Sequence, residues 1–137
     1  MLNPTTELLN KLDEICQRDN RYKPEAYLFI MAALHFTVNK LSKRRHITGQ
    51  ELSEGIREYG LDQFGPLTAQ VFAHWGLKET VDFGHIVFIL VEAKLLGKTE
   101  EDSLEDFKNV YDFQTAFDPK PLYKLTEETV PKKKRSK

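Results

Sequence analysis

Hydrophobic residues near the start of the chain recur at helical spacing. Between Thr5 and Arg18, one stripe combines Leu8, Leu9, Leu12, Ile15 and Cys16. This i, i+4, i+7, i+8 pattern predicts an amphipathic helix, with Thr5 or Thr6 as its N-cap. Pro24 suits the first turn of a second helix, because its missing N–H costs nothing there. The apolar run at residues 25–41 is too long for an ordinary strand and predicts a largely buried helix.

A third helix is predicted from a capping box. Glu51 follows Thr48 by three residues, so each side chain can accept a hydrogen bond from the backbone N–H of the other residue. This helix should end near Gly60 or Gly65, since glycine is common just beyond helix ends.

Two further helices are predicted between residues 66 and 97. Pro66 should open a fourth helix that ends at Gly76. A fifth helix, N-capped by Thr80, should run through the most apolar segment of the chain to Leu96 and stop at Gly97. The middle of that segment is rich in β-branched residues, but the flanking Ala, Leu and Glu favour a helix.

The C-terminal part is harder to assign. Phe107, Asn109, Tyr111 and Phe113 alternate in a way that fits either a strand of a short hairpin or a final irregular wrap. The sequence therefore predicts a mainly α, compact domain of four to six helices over residues 1–125, with a short C-terminal β-hairpin left open. A winged-helix-like arrangement is the alternative, although its recognition helix would be too apolar to face DNA. Residues 126–137 are predicted to be a disordered basic tail.

Composition excludes several classes of protein. With 137 residues, 40% hydrophobic residues and fifteen aromatic ones, the chain has enough material for a packed core and is not disordered throughout. Cys16 is the only cysteine, so no internal disulfide forms, which suits a reducing compartment. The N-terminus lacks the pattern of a signal peptide, and the apolar runs fall short of a membrane span. We expect a cytoplasmic protein with no membrane partner.

Several short motifs distributed over residues 22–117 form a recognisable set. They are HITGQEL (46–52), EGIR (54–57), QFGP (63–66), HWG (74–76), DFG (82–84), IVF (86–88) and VYDF (110–113). As a set they resemble a small uncharacterised bacterial protein family of unknown function. The resemblance implies a bacterial cytosolic protein, and it supplies no catalytic residues.

Candidate chemistry is sparse. The four histidines and Cys16 show none of the spacings typical of metal ligands, so we expect no metal or other cofactor. Cys16 lies on an apolar stripe, and the chain has neither a nucleophile elbow nor a phosphate-binding glycine loop. These features argue against an enzyme, although one that acts through an unrecognised pocket remains a third hypothesis.

Charge suggests one alternative function. The net charge is −1, but without the cations of the last seven residues the chain has 15 basic and 21 acidic residues, a balance of −6. The basic residues concentrate in a loop at residues 40–46 and in the tail. The cationic residues of these two clusters are Lys40, Lys43, Arg44 and Arg45 in the loop, and Lys132, Lys133, Lys134 and Arg135 in the tail. Such clusters bind phosphates, so an accessory nucleic-acid- or ribosome-associated protein is the alternative, recognisable by affinity that falls steeply with salt.

The favoured hypothesis is a non-enzymatic binding or regulatory module with a protein partner. Trp75 would serve as an aromatic anchor, since tryptophan is enriched at the energetic centres of interfaces, with Arg57 at the rim. Packing of Trp75 into the core, with Gly76 as the helix end, is the simpler interpretation of the same residues.

Overall fold

A computed structural model describes residues 4–43, 45–97 and 103–117. Its helices, in chain order, are α1 (Pro4–Arg18), α2 (Pro24–Asn39), α3 (Gly49–Phe64), α4 (Thr68–His74), α5 (Thr80–Glu92) and α6 (Phe113–Ala116), with 3-10 turns at Gly65–Leu67 and Leu104–Phe107. Every regular element in these ranges is helical, which confirms the mainly α, compact fold. The predicted domain end at residue 125 and the tail at residues 126–137 lie outside the described ranges.

Helix α2 is the central element. It begins at Pro24, as predicted, and packs against α1, α3 and α5. Its buried side chains form one stripe at i, i+4, i+7 and i+11, with a further buried residue on each side of it, because neighbours cover more than one side of the helix. They are Ala26, Tyr27, Phe29, Ile30, Ala33 and Thr37.

Helices α2 and α3 approach closely at Gly55. A Cβ atom at this position would lie 1.8 Å from the Oγ1 atom of Thr37, so only glycine allows the contact. The Thr37 hydroxyl donates a hydrogen bond to the Ala33 carbonyl at 2.7 Å, which satisfies the buried oxygen inside its own helix. The small residue on α3 therefore sets how near the two helices come.

The end of α3 confirms one of its two predicted positions, and the start of α4 corrects an expectation. Gly60 lies inside α3, and the helix continues to Phe64 with Gly65 as its C-cap. Pro66 lies in a 3-10 turn rather than at the start of a helix, and α4 begins only at Thr68. The buried Thr68 hydroxyl lies 3.0 Å from the Gly60 carbonyl oxygen and 2.6 Å from that of Gly65, which ties the two helices together.

Helix α5 ends at Glu92, four residues before the predicted end at Leu96. The chain turns in a Schellman motif: Lys94 adopts a left-handed conformation with φ 64°, and the N–H of Leu95 donates to the Leu90 carbonyl at 2.8 Å. The prediction was wrong because the turn folds Leu95 and Leu96 back against the core instead of extending the helix.

The predicted N-caps of α1 and α5 were also wrong. Helix α1 already begins at Pro4, so Thr5 and Thr6 lie within its first turn. Thr80 is the first residue of α5, after the N-cap Glu79, and the Asp82 carboxylate accepts the N–H of Glu79 at 3.1 Å. Glu79 and Asp82 thus take the role that we predicted for Thr80.

The Thr80 hydroxyl instead attaches the C-terminal segment to α5. It is fully buried, donates to the Phe107 carbonyl at 2.6 Å and accepts the Val110 N–H at 3.1 Å. Both partners are about thirty residues away in the sequence, so no local pattern indicates this role.

Residues 103–117 form the irregular wrap, not the hairpin. The segment passes through the 3-10 turn and α6, and it buries Phe107, Phe113 and Phe117. The Tyr111 hydroxyl donates to the Ser53 carbonyl at 2.7 Å, so the wrap also contacts α3. Without strands in the described ranges, the winged-helix alternative has no wing there.

Replacing Thr80 tests the attachment of the C-terminal wrap. We expect Thr80→Val to lower the free energy of unfolding by about 1–3 kcal/mol, because the Phe107 carbonyl and the Val110 N–H lose their partner inside the protein. Urea denaturation of the purified variants measures this.

Thr80→Ser is the matched control, since it keeps the hydroxyl and removes only a methyl group. If Thr80→Val proved as stable as Thr80→Ser, the hydrogen bonds would not hold the wrap in place.

Candidate functional site

An open apolar groove of about 970 Å³ lies between α2 and α5. One wall is formed by α2 residues spaced i, i+4 and i+8, so one stripe of that helix faces the groove. The other wall comes from α5 and the turn that follows it, and the start of α3 and the 3-10 turn complete the lining. The apolar residues that line the groove are Ile30, Leu34, Val38, Ile47, Leu52, Val87, Phe88, Val91, Leu95, Leu96 and Phe107.

Part of this lining remains accessible to solvent. Ile30, Leu52 and Phe107 are buried, but other apolar side chains in the groove are only half-buried. They are Leu34, Val38, Phe88, Val91, Leu95 and Leu96. Isolated exposed apolar residues are common on protein surfaces, whereas several that converge on one concave groove form a candidate binding site.

Polar residues at the groove include an ion pair. The Nη1 and Nη2 atoms of Arg45 donate to the two oxygens of the Glu51 carboxylate, at 3.1 and 3.0 Å. Glu51 also accepts the Thr48 N–H at 2.9 Å, and the Thr48 hydroxyl accepts the Glu51 N–H at 3.0 Å, which confirms the predicted capping box. The hydrogen bonds from Arg45 and then from the Thr48 N–H lower the pKa of Glu51 to about 2.

Lys94 and Glu92 are the other charged residues of the lining. Both side chains are exposed, and neither forms an ion pair with a residue in the described part of the chain. Lys94 extends from the left-handed turn after α5. The charges of these two residues are therefore not neutralised by the described residues.

The structure places the predicted nucleic-acid residues as follows. Lys40 forms an ion pair with Glu58 and lies over the Phe36 ring, and Arg45 is bound to Glu51. Lys43 is exposed. Arg44 and the tail residues Lys132, Lys133, Lys134 and Arg135 lie outside the described residues. Nucleic-acid binding stays a prediction, with two of its loop cations engaged by carboxylates.

The predicted partner-binding residues lie apart from the groove lining. Trp75 is half-buried in an aromatic cluster, with ring centroids 5.4 Å from Phe29, 5.7 Å from Phe64 and 6.0 Å from Phe72. Arg57 is half-buried, with Nη1 4.0 Å from the Glu54 carboxylate. The structure does not bring these two residues together with the groove.

A second polar cluster joins the α1–α2 connection to α5. The Tyr22 hydroxyl donates to Asp82 at 2.6 Å, and its oxygen lies 2.9 Å from His85 Nδ1. Burial, and then the bond to Asp82, raise the pKa of Tyr22. The other Asp82 oxygen accepts the N–H groups of Lys78 and Glu79, so this carboxylate is fully used in holding the fold.

Catalytic and metal-binding features are weak in the described part of the chain. Burial raises the pKa of the Cys16 thiol, the opposite of what a nucleophilic cysteine needs. Among those residues no three of His, Cys, Asp or Glu come together as metal ligands. None of the described helices is both long and apolar enough to cross a bilayer.

Comparisons of the chain with protein-family models, with curated proteins and with solved structures found no match. The groove geometry is therefore the main guide to function.

Sequence reasoning did not find the groove. It placed Leu34 and Val38 in a largely buried helix and Val91 in the most apolar segment of the chain, and their half-exposure depends on how α2 and α5 pack. The available signal was the excess of apolar residues in α5, which spread over more of the helix than its neighbours cover.

The ion pair at the groove should make stability depend on pH. Folding lowers the pKa of Glu51 to about 2, from an unfolded value of about 4.3. The contribution of the Glu51 carboxylate to folding stability is therefore fully present above the unfolded pKa and is lost as the pH falls through the folded pKa. The difference in unfolding free energy between wild type and Glu51→Gln should therefore be largest above pH ~5 and shrink toward pH ~2. Urea denaturation across this range measures it.

The same comparison in an Arg45→Gln background should show a smaller difference, because the main cause of the pKa shift is then absent. A difference that does not vary with pH would contradict the assignment.

Proposed function

We propose that this chain is a protein-binding module that holds an apolar segment of a partner protein in the groove between α2 and α5. The observation that carries the proposal is the convergence of half-buried apolar side chains from both walls on one open groove. Covering such side chains removes apolar surface from water, which is the main driving force of most protein association.

The character of the lining supports a protein segment over a phosphate backbone. Most residues of the groove are aliphatic or aromatic, and Arg45 is already bound to Glu51. Nucleic-acid sites instead present several cations free to neutralise phosphates. The centre of a protein interface is apolar with a polar rim, which is the distribution of residues here.

The use of the other polar groups supports a binding role over an enzymatic one. Asp82 caps α5 and Glu51 caps α3, and each also accepts a hydrogen bond from a neighbouring side chain. These carboxylates serve the fold, so they are poorly suited to acid–base chemistry. We place the module in the bacterial cytoplasm, supported by the single cysteine and by the motif resemblance over residues 22–117.

A substitution in the groove tests this function. Peptides of sixteen residues are selected from a random display library against the wild-type chain, and their affinities are measured by fluorescence anisotropy. Val91→Lys places a charge among the half-buried apolar residues of the groove, so we expect at least a tenfold loss of affinity for the selected peptides.

Leu67→Lys is the matched control. Leu67 is 55% exposed, lies on the 3-10 turn before α4 and does not line the groove. Thermal unfolding verifies that both variants fold. Failure to select any peptide, or an equal loss of affinity in both variants, would contradict the proposal.

A further inference from the structure

The groove also constrains the form of its partner. We propose that the bound segment is a short amphipathic helix that places a carboxylate beside Lys94. This inference rests on the proposed function and specifies the partner of the same groove.

The first argument concerns backbone hydrogen bonds. The walls are helices α2 and α5, whose interior N–H and C=O groups are bonded within each helix. Such walls offer no strand edge, so the backbone groups of an extended segment that face them would lose water without gaining partners. A helix satisfies its backbone internally, and it can present an apolar face to the groove at no such cost.

The second argument concerns dimensions. The α2 wall extends from Ile30 to Val38, eight helical steps or about 12 Å at the helical rise. About two turns of a partner helix fit along the wall.

The third argument concerns Lys94. Helices α4 and α5 end in the same type of turn, in which one residue adopts a left-handed conformation. This residue is Gly76 after α4 and Lys94 after α5. Gly76 is required at the first, because a Cβ there would lie 2.2 Å from the Arg21 carbonyl oxygen. At the second, the chain has a lysine where glycine would adopt the conformation without strain. Residues in such strained conformations concentrate at functional sites.

The charged residues of the groove indicate which charge the polar edge of the partner helix should carry. Lys94 lines the groove and has no carboxylate partner among the described residues, so it can pair with an acid on a bound helix. Glu92 lines the same groove and would repel a helix with acids along its whole length. A single carboxylate beside Lys94 fits this arrangement.

Three matched peptides test the inference. The first is a fourteen-residue helical peptide with the apolar residues of a library-selected sequence and one Glu at its polar edge. The second replaces that Glu with Lys, and the third has Pro at its centre. Proline breaks the helix, so we expect the third peptide to bind about tenfold more weakly or worse. Circular dichroism should show a gain of helix when the first peptide binds.

Two substitutions of Lys94 test whether its charge contributes to peptide binding. For the Glu peptide, Lys94→Gly should lower affinity by about two- to fivefold, the range of an exposed ion pair. The thermal midpoint of the Lys94→Gly variant should be no lower than that of wild type, because glycine adopts the left-handed conformation without strain. The Lys peptide should prefer Lys94→Glu over wild type.

The outcomes separate the two proposals. If no peptide binds, or binding survives Val91→Lys, the proposed function itself is wrong. If the peptides bind in a Val91-dependent manner but neither proline nor charge matters, the groove binds protein segments and the amphipathic-helix inference is wrong.

Discussion

The close approach of α2 and α3 at Gly55 is the constraint on which the rest of the structure depends. The Thr37 hydroxyl occupies the space that a side chain larger than glycine would need at position 55 of α3. With α2 held against α3, the remaining sides of α2 face α1 and α5. The α2 stripe that ends at Val38 then becomes one wall of the groove. Packing that fixes the core thus also fixes the candidate site.

The C-terminal wrap completes the core but leaves the groove open. Phe72 is the centre of an aromatic cluster that includes Phe113 and Phe117 from the wrap, with ring centroids 5.9 and 5.3 Å away. Thr80 holds this segment on α5 through two long-range hydrogen bonds. Leu9 and Leu67 are more exposed but lie outside the groove, whereas several half-buried apolar side chains come together in the groove, so it is a local departure from good burial. Such departures are expected where a protein has a function.

Local signals in the sequence predicted much of the fold. The capping box at Thr48 and Glu51, the proline at the start of α2 and the glycine after α4 each act within a few residues, and the structure confirms them. The end of α5 was mispredicted because its left-handed turn has Lys94 where glycine is usual, and the role of Thr80 was missed because its partners are distant in sequence. The groove could not be predicted for the same reason, because exposure of Leu34, Val38 and Val91 is a property of packed helices.

The most direct test of the account is a methyl NMR titration of the full chain with the selected helical peptide. Leucine and valine methyl groups report contacts across the groove and on the rest of the surface. We expect the largest shift changes at Leu34, Val91 and Leu95, and little change at the exposed Leu9 and Leu67. Changes centred on Leu9 or Leu67, with the groove methyl groups unaffected, would contradict the central claim that the groove is the binding site.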